Sequence, residues 1–167
     1  TLNNNKMKNF FLTIILSLST LVVFAQKSSG TIRDDDENSK NVKALNKDYS
    51  ENKFILWESL VADDAVIYVN NNKLPKVVVL EAFKGHHAIF NDIQIENSYV
   101  HTNYFKSKDV WSNHWFTWMG TGNKTGMRYA NKSHFDFKWK NGKIVEMQAY
   151  FDTKSLENEL AAQEEME

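Results

Sequence analysis

His134-Phe-Asp-Phe-Lys-Trp139, then Lys140-Asn-Gly-Lys143, then Ile144-Val-Glu-Met-Gln-Ala-Tyr-Phe-Asp152 is the stretch that decides the fold. Two alternating runs flank Asn141-Gly142, the dipeptide that best tolerates the positive φ angles of a type I′ turn, so the stretch is a β-hairpin. A two-residue turn sets a register in which His134 lies opposite Ala149 and Asp136 opposite Met147. On that register His134 and Asp136 share a face with Met147, Ala149 and Phe151. An apolar wall bearing a few polar groups is how a small-molecule pocket is built.

Working outward, Gly126–Trp139 and Ile144–Phe151 are the hairpin strands, and Ile93–Phe105 and Val110–Met119 precede them as further strands. Gly120-Thr121-Gly122-Asn123 turns the chain between two of these. Upstream, Ala65–Val69 is a β-type run ended by Asn70-Asn71-Asn72. After Pro75, residues Val79, Phe83, His86 and Phe90 recur at i, i+4, i+7 and i+11, a helical stripe. Val42, Leu45 and Tyr49, and then Phe54, Trp57 and Val61, mark two short N-terminal helices, with Ser50 placed to cap the second. Leu156 and Leu160 indicate a last short helix. Helices first, one strand, another helix and then a run of strands is an α+β order, an antiparallel sheet with helices packed on one face.

With 167 residues and 13% aromatics, the chain can build one domain with a compact core. Its net charge of −1, with no basic stripe, excludes nucleic acid as a partner. The absence of cysteine removes disulfides, thiolate metal sites, cysteine nucleophiles and a lipoprotein anchor together. Residues 7–25 read as a signal peptide: Met7-Lys8, an apolar stretch from Phe10 to Phe24, then Ala25. That stretch, at roughly 15 residues, is shorter than the ~20 a spanning helix needs. A secreted or periplasmic protein is expected, mildly acidic once Lys6 and Lys8 are removed, with no membrane contact after cleavage. Residues 26–40, rich in Ser, Asp and Asn, are expected as a flexible linker, and 41–162 as the domain.

The run Leu60-Val-Ala-Asp-Asp-Ala-Val66 at the first strand and the hairpin ending Gly142-Lys-Ile-Val-Glu-Met-Gln-Ala-Tyr-Phe151 resemble the nuclear transport factor 2-like superfamily, also called SnoaL-like. The resemblance spans roughly Val42 to Leu160. It implies a cone-shaped fold, a curved antiparallel sheet wrapped around the N-terminal helices, with a pocket at the open end. Many such proteins dimerise through the outer face of the sheet, so a homodimer is implied here. Among relatives the hairpin is most similar to that of the ketosteroid isomerases. Aligning Gly142 with the glycine of their last turn puts Met147, Ala149 and Phe151 on their steroid-lining positions. It also puts His134 where they hold the acid of the oxyanion hole. Their catalytic base falls at Val69, and a branched alkane cannot take a proton, so steroid isomerase activity is excluded while the pocket is retained.

His134 and Asp136 are the candidate catalytic pair, because a His beside a carboxylate can act as general acid or base. The alternative is a pair of satisfied polar groups near the pocket mouth. The ligand-binding set is Trp57, Val69, His86, Met147, Ala149 and Phe151. No metal site is expected: His86 and His87 are adjacent on a helix and point about 100° apart, and His101, His114 and His134 form no tight motif. Trp111 and Trp115 share one face of their strand, and His114, Phe116 and Trp118 the other, which hints at a second buried surface. Gly120–Gly126 lacks the order of a phosphate loop and is a turn. Asn123 and Asn131 fit the glycosylation pattern, which matters only in a eukaryotic secretory pathway. The expectation is cofactor-free binding of a small apolar or aromatic molecule, with its conversion left open. The competing reading is a non-catalytic dimerisation or interaction module.

Overall fold

The structure, a computed structural model, describes residues 29–165; the expected signal peptide lies outside them. The elements in chain order are β1 (Gly30–Arg33), α1 (Glu37–Ser50), α2 (Ile55–Leu60), β2 (Val61–Val69), β3 (Asn72–Leu74) and α3 (Lys76–Ile89). There follow β4 (Phe90–Phe105), β5 (Val110–Gly122), β6 (Arg128–Lys140), β7 (Lys143–Tyr150) and α4 (Lys154–Glu164). Among the described residues, no helix is long and apolar enough to cross a membrane.

The strands form one seven-stranded sheet in the order β1-β4-β5-β6-β7-β2-β3. Pairing is antiparallel from β4 to β7 and parallel between β2 and β7. This is an α+β fold with a curved, unclosed sheet around the N-terminal helices. The curvature has a local cause. The β4–β5 register shifts twice, between Asn91 and Gln94 and between Glu96 and Tyr99. Asp92 and Asn97 sit there at φ 51° and 50°, and such bulges bend the bulged strand.

The main core lies between the helices and the concave face. Val42, Ile67, Ile144 and Ala149 are fully buried there, with Val79 and Met147 nearly so. Asn141 and Gly142 take φ of 52° and 74°, the two positive angles that the type I′ turn requires.

The register of the hairpin differs from the expected one. Lys140 pairs with Lys143 and Trp139 with Ile144, as a two-residue turn dictates, but Lys138 then pairs with Glu146. Val145 is the extra residue of a β-bulge. Beyond it His134 lies opposite Tyr150 and Asp136 opposite Gln148, while Phe135 and Phe137 face Ala149 and Met147. A one-residue slip exchanges the faces of every later pair.

The expected linker 26–40 is also corrected over its described part. Gly30–Arg33 is a strand, and α1 starts at Glu37. Asp36 caps α1 by accepting from the Asn38 and Ser39 N–H groups at 3.0 and 3.2 Å. Ser39 is fully buried, its hydroxyl 2.8 Å from Thr102, which bonds Ser112 at 2.7 Å, which in turn accepts from Trp139 Nε1. Ser50 is not the cap of α2. It ends α1, donating to the Asn46 carbonyl, and α2 is capped from a distance by Asp48, whose Oδ2 accepts the Leu56 N–H at 2.8 Å.

Candidate functional site

A cavity opens between the helices and the concave sheet face, with about 90 Å3 open to the centre of a water molecule. At roughly 10–15 Å3 per water on that measure, this is room for about six to nine waters, or one to two fused aromatic rings. Leu45, Asp48 and Tyr49 of α1, Trp57 of α2 and Phe83 and His86 of α3 form the helical wall. The sheet contributes Phe116 and Trp118 of β5, Ser133, Phe135 and Phe137 of β6, and Met147 of β7. Phe151 and the start of α4, through Ser155 and Leu156, close the end. The wall is aromatic because alternate residues of β5 and β6 point inward from strands bent over the helices.

Tyr49 organises the polar groups. Its hydroxyl accepts from Trp118 Nε1 at 2.8 Å and lies 3.0 Å from His86 Nδ1. Indole can only donate, so Tyr49 Oη accepts from Trp118, and its contact with His86 Nδ1 takes either direction according to the imidazole tautomer. Burial, with a smaller push from His87, lowers the His86 pKa to about 4, so this imidazole is neutral at pH 7. Burial also raises Tyr49 well above the usual phenol value. Trp57 is 5% exposed, and its Nε1–H is buried without a hydrogen-bond partner. Asp48, engaged in capping α2, and Asp152 are the carboxylates among the lining residues. Among the described residues, no lysine or arginine lines the cavity.

Of the residues expected to bind ligand, Trp57, His86, Met147 and Phe151 line the cavity. Val69 and Ala149 pair with each other in the sheet and pack into the core instead. His134 and Asp136 do form a pair, at 2.8 Å, but on the opposite face of the sheet. The bulge at Val145 puts them beside Gln148 and Tyr150, away from the cavity. The sequence reading missed Tyr49, Phe83, Trp118 and Phe135 as site residues. Tyr49 and Phe83 lie on the helical stripes, and Phe135 alternates with Ser133 and Phe137, so the signal was present but read only as core.

The outer face carries a connected aromatic band. Tyr99 and His101 of β4 pack on Trp115 of β5, with His101 stacked at 5.5 Å. Trp115 meets His134 at 4.2 Å, and His134 lies parallel to Tyr150 at 6.3 Å. Tyr99, Trp115 and Tyr150 are 55%, 44% and 43% exposed. Asn113 donates to Asp136, and Asn103 to Asn113, fixing the polar half of the patch. Among the described residues no three His, Cys, Asp or Glu side chains gather as metal ligands would.

No protein-family model matches the chain, and no curated protein matches it by sequence. Solved structures do. IdmH from Streptomyces antibioticus, provisionally described as a polyketide cyclase, is 16% identical over 75% of this chain and 99% of its own, with a TM-score of 0.57. A SnoaL-like polyketide cyclase, also a provisional description, from Jannaschia sp. CCS1 is 14% identical over 75% of this chain and 92% of its own, TM-score 0.55. A nuclear transport factor 2-like protein from Anabaena variabilis is 16% identical over 69% and 86%, TM-score 0.55. At such identities the likeness speaks for the fold alone. The chain has the nuclear transport factor 2-like, or SnoaL-like, fold.

Proposed function

We propose that this domain binds a small apolar or aromatic molecule in the cavity between its helices and the concave sheet face, without a cofactor. The observation that carries this reading is a buried, aromatic-lined space with few polar groups facing it, the usual composition of a small-molecule site. The cyclase descriptions of two of the neighbours are in keeping with such a ligand. A proton transfer in the cavity would fall to His86, Asp48 or Asp152, which line it, and not to His134 and Asp136, which face the other way. The signal-peptide reading of residues 7–25 supports a secreted or periplasmic setting.

The test is a fluorescence titration with naphthalene, using the tryptophans of the wall as reporters. Ser133 is 7% exposed and lines the cavity, so Ser133→Phe fills it. Wild type should bind, and Ser133→Phe, with an unchanged far-UV dichroism spectrum, should lose at least tenfold in affinity. Equal affinities in the two proteins would overturn the reading.

A second reading concerns the outer face. The aromatic band across β4 to β7 favours association with a second copy of the chain, and both functions can share one domain, because the cavity and the band lie on opposite faces of the sheet.

A further inference from the structure

Among the described residues that line the cavity, Asp152 alone is exposed to solvent, the others being buried or half-buried. The mouth therefore lies where β7 runs into α4, bordered by Phe151, Thr153, Ser155 and Leu156. What holds α4 in place governs passage at this end.

That attachment is almost wholly polar. The buried side chains of α4 are Ser155 and Glu159. Leu160 is exposed, and the apolar anchor is Leu156, half-buried against the cluster of Phe90, Ile93, Phe116 and Trp118. Asn131 pins the near end of the helix, donating to the Asp152 carbonyl at 3.2 Å and to the Ser155 hydroxyl at 2.8 Å. Glu159 pins the far end, accepting from the Lys124 and Thr125 N–H groups and from the Thr125 and Tyr129 hydroxyls. Such bonds exchange for bonds to water at a small net change, whereas an apolar face leaves its core only at the full hydrophobic cost. Elements with few buried apolar contacts are the ones that open locally. Glu159, Lys124 and Thr125 are not among the residues lining the cavity.

We propose that α4 is the gate of the cavity. It swings about the end pinned by Asn131, ligand passes beside Phe151 and Leu156, and the Glu159 clasp is the latch that keeps it shut. This rests on the small-molecule reading of the cavity and adds the control of entry to it. Because the latch does not touch the ligand, loosening it raises the open fraction of the free and the occupied protein alike. Association and dissociation then quicken together while affinity stays. A fixed wall behaves differently: damage to it speeds dissociation alone and weakens binding.

The experiment follows naphthalene binding by stopped-flow tryptophan fluorescence. Glu159→Gln should raise both rate constants about tenfold or more, with Kd within about twofold of wild type. The opposite change comes from Gly122→Cys combined with Glu159→Cys. The chain has no cysteine of its own, and a Cβ at Gly122 would meet the Glu159 side chain, 2.1 Å from Cδ. Oxidising that pair to a disulfide with diamide should slow both rate constants about tenfold or more, and dithiothreitol should restore them. This second comparison is made within one protein and needs no folded Glu159→Gln. Rate constants unmoved by the substitution and by oxidation, or a rise in dissociation alone, would overturn the gate while the cavity reading stands. If wild type does not bind naphthalene, both readings fall.

Discussion

His114 is the clearest case of a single residue whose environment dictates a measurable behaviour. It is fully buried, stacked on Phe116 at 4.2 Å, and its Nε2 lies 3.1 Å from Asn46 Nδ2 and 3.0 Å from Ser98 Oγ. Burial, with a smaller contribution from His134, lowers its pKa from 6.5 to about 3. The unfolded chain therefore binds this proton more tightly than the folded one. The stability that neutral His114 contributes is fully present above pH 6.5 and is lost progressively as pH falls toward 3. The slope from this one site approaches at most about 1.4 kcal/mol per pH unit. Urea titrations at pH 7, 6, 5 and 4 should show falling stability, and His114→Gln should show a shallower fall. Equal slopes in the two proteins would exclude His114 as the source. Legibility at this scale was uneven. His86 was readable as a pocket histidine from its place on the Val79–Phe83–Phe90 stripe. His134 and Asp136 were correctly read as a pair, yet their face depended on the bulge at Val145. Nothing in Val145-Glu146 advertises a bulge, because it relieves strand geometry and leaves the apolar alternation of β6 unchanged. The competing cue was the run Ser133, Phe135, Phe137 and Trp139, whose bulk belongs inside.

At the scale of the element, α4 is held by one carboxylate. Glu159 is 1% exposed and accepts from the Lys124 and Thr125 N–H groups at 2.9 and 3.3 Å, from the Tyr129 hydroxyl at 3.0 Å, and from the Thr125 hydroxyl. These donors hold its pKa below the ordinary glutamate value against the opposing effect of burial. The clasp ties α4 to the β5–β6 turn and so seats Leu156 at the cavity. Gly122 is needed for it, since a Cβ there would lie 2.0 Å from Glu159 Oε1. Glu159→Gln should cost about 2–3 kcal/mol, the range for losing charge-assisted bonds to a buried acceptor. Gly122→Ala should displace the carboxylate and expose the Lys124 and Thr125 amides to exchange. Chemical denaturation and amide hydrogen exchange measure these, and unchanged exchange at Thr125 in both variants would refute the clasp. The helical stripes, the strands β2 and β4 to β7 and the Asn141-Gly142 turn were legible, because each rests on a local period or on turn chemistry, whereas the short edge strands β1 and β3 carry neither. The start of α1 was hidden for the opposite reason. Its buried face there is Ser39, satisfied by Thr102, which in turn bonds Ser112, so a reading by hydrophobicity takes the segment for linker.

At the scale of the whole molecule, the sheet has two apolar faces and the helices cover only one. The β5 strand already showed this in sequence, with Trp111 and Trp115 on one side and Phe116 and Trp118 on the other. Phe116 and Trp118 are buried against the cavity, whereas Trp115 stands 44% exposed in a band with Tyr99 and Tyr150. Isolated exposed aromatics are ordinary, but a connected band that crosses β4 to β7 is uncommon on a monomer and is rich in the residue types that interfaces favour. A two-fold pairing of the same face would bury these rings against their equivalents, with the His134–Asp136 pair and its Asn113 neighbour at the centre. The domain is accordingly expected to sediment as a dimer at micromolar concentration. Trp115→Glu places an unpaired charge in the middle of the band and should shift the equilibrium to monomer by at least tenfold, since an uncompensated buried charge costs several kcal/mol. The cavity lies on the other side of the sheet, so naphthalene affinity should be retained in that variant. Sedimentation velocity of both proteins decides the matter. A wild-type monomer across the range, or a Trp115→Glu protein that remains a dimer, would separate this face from any self-association.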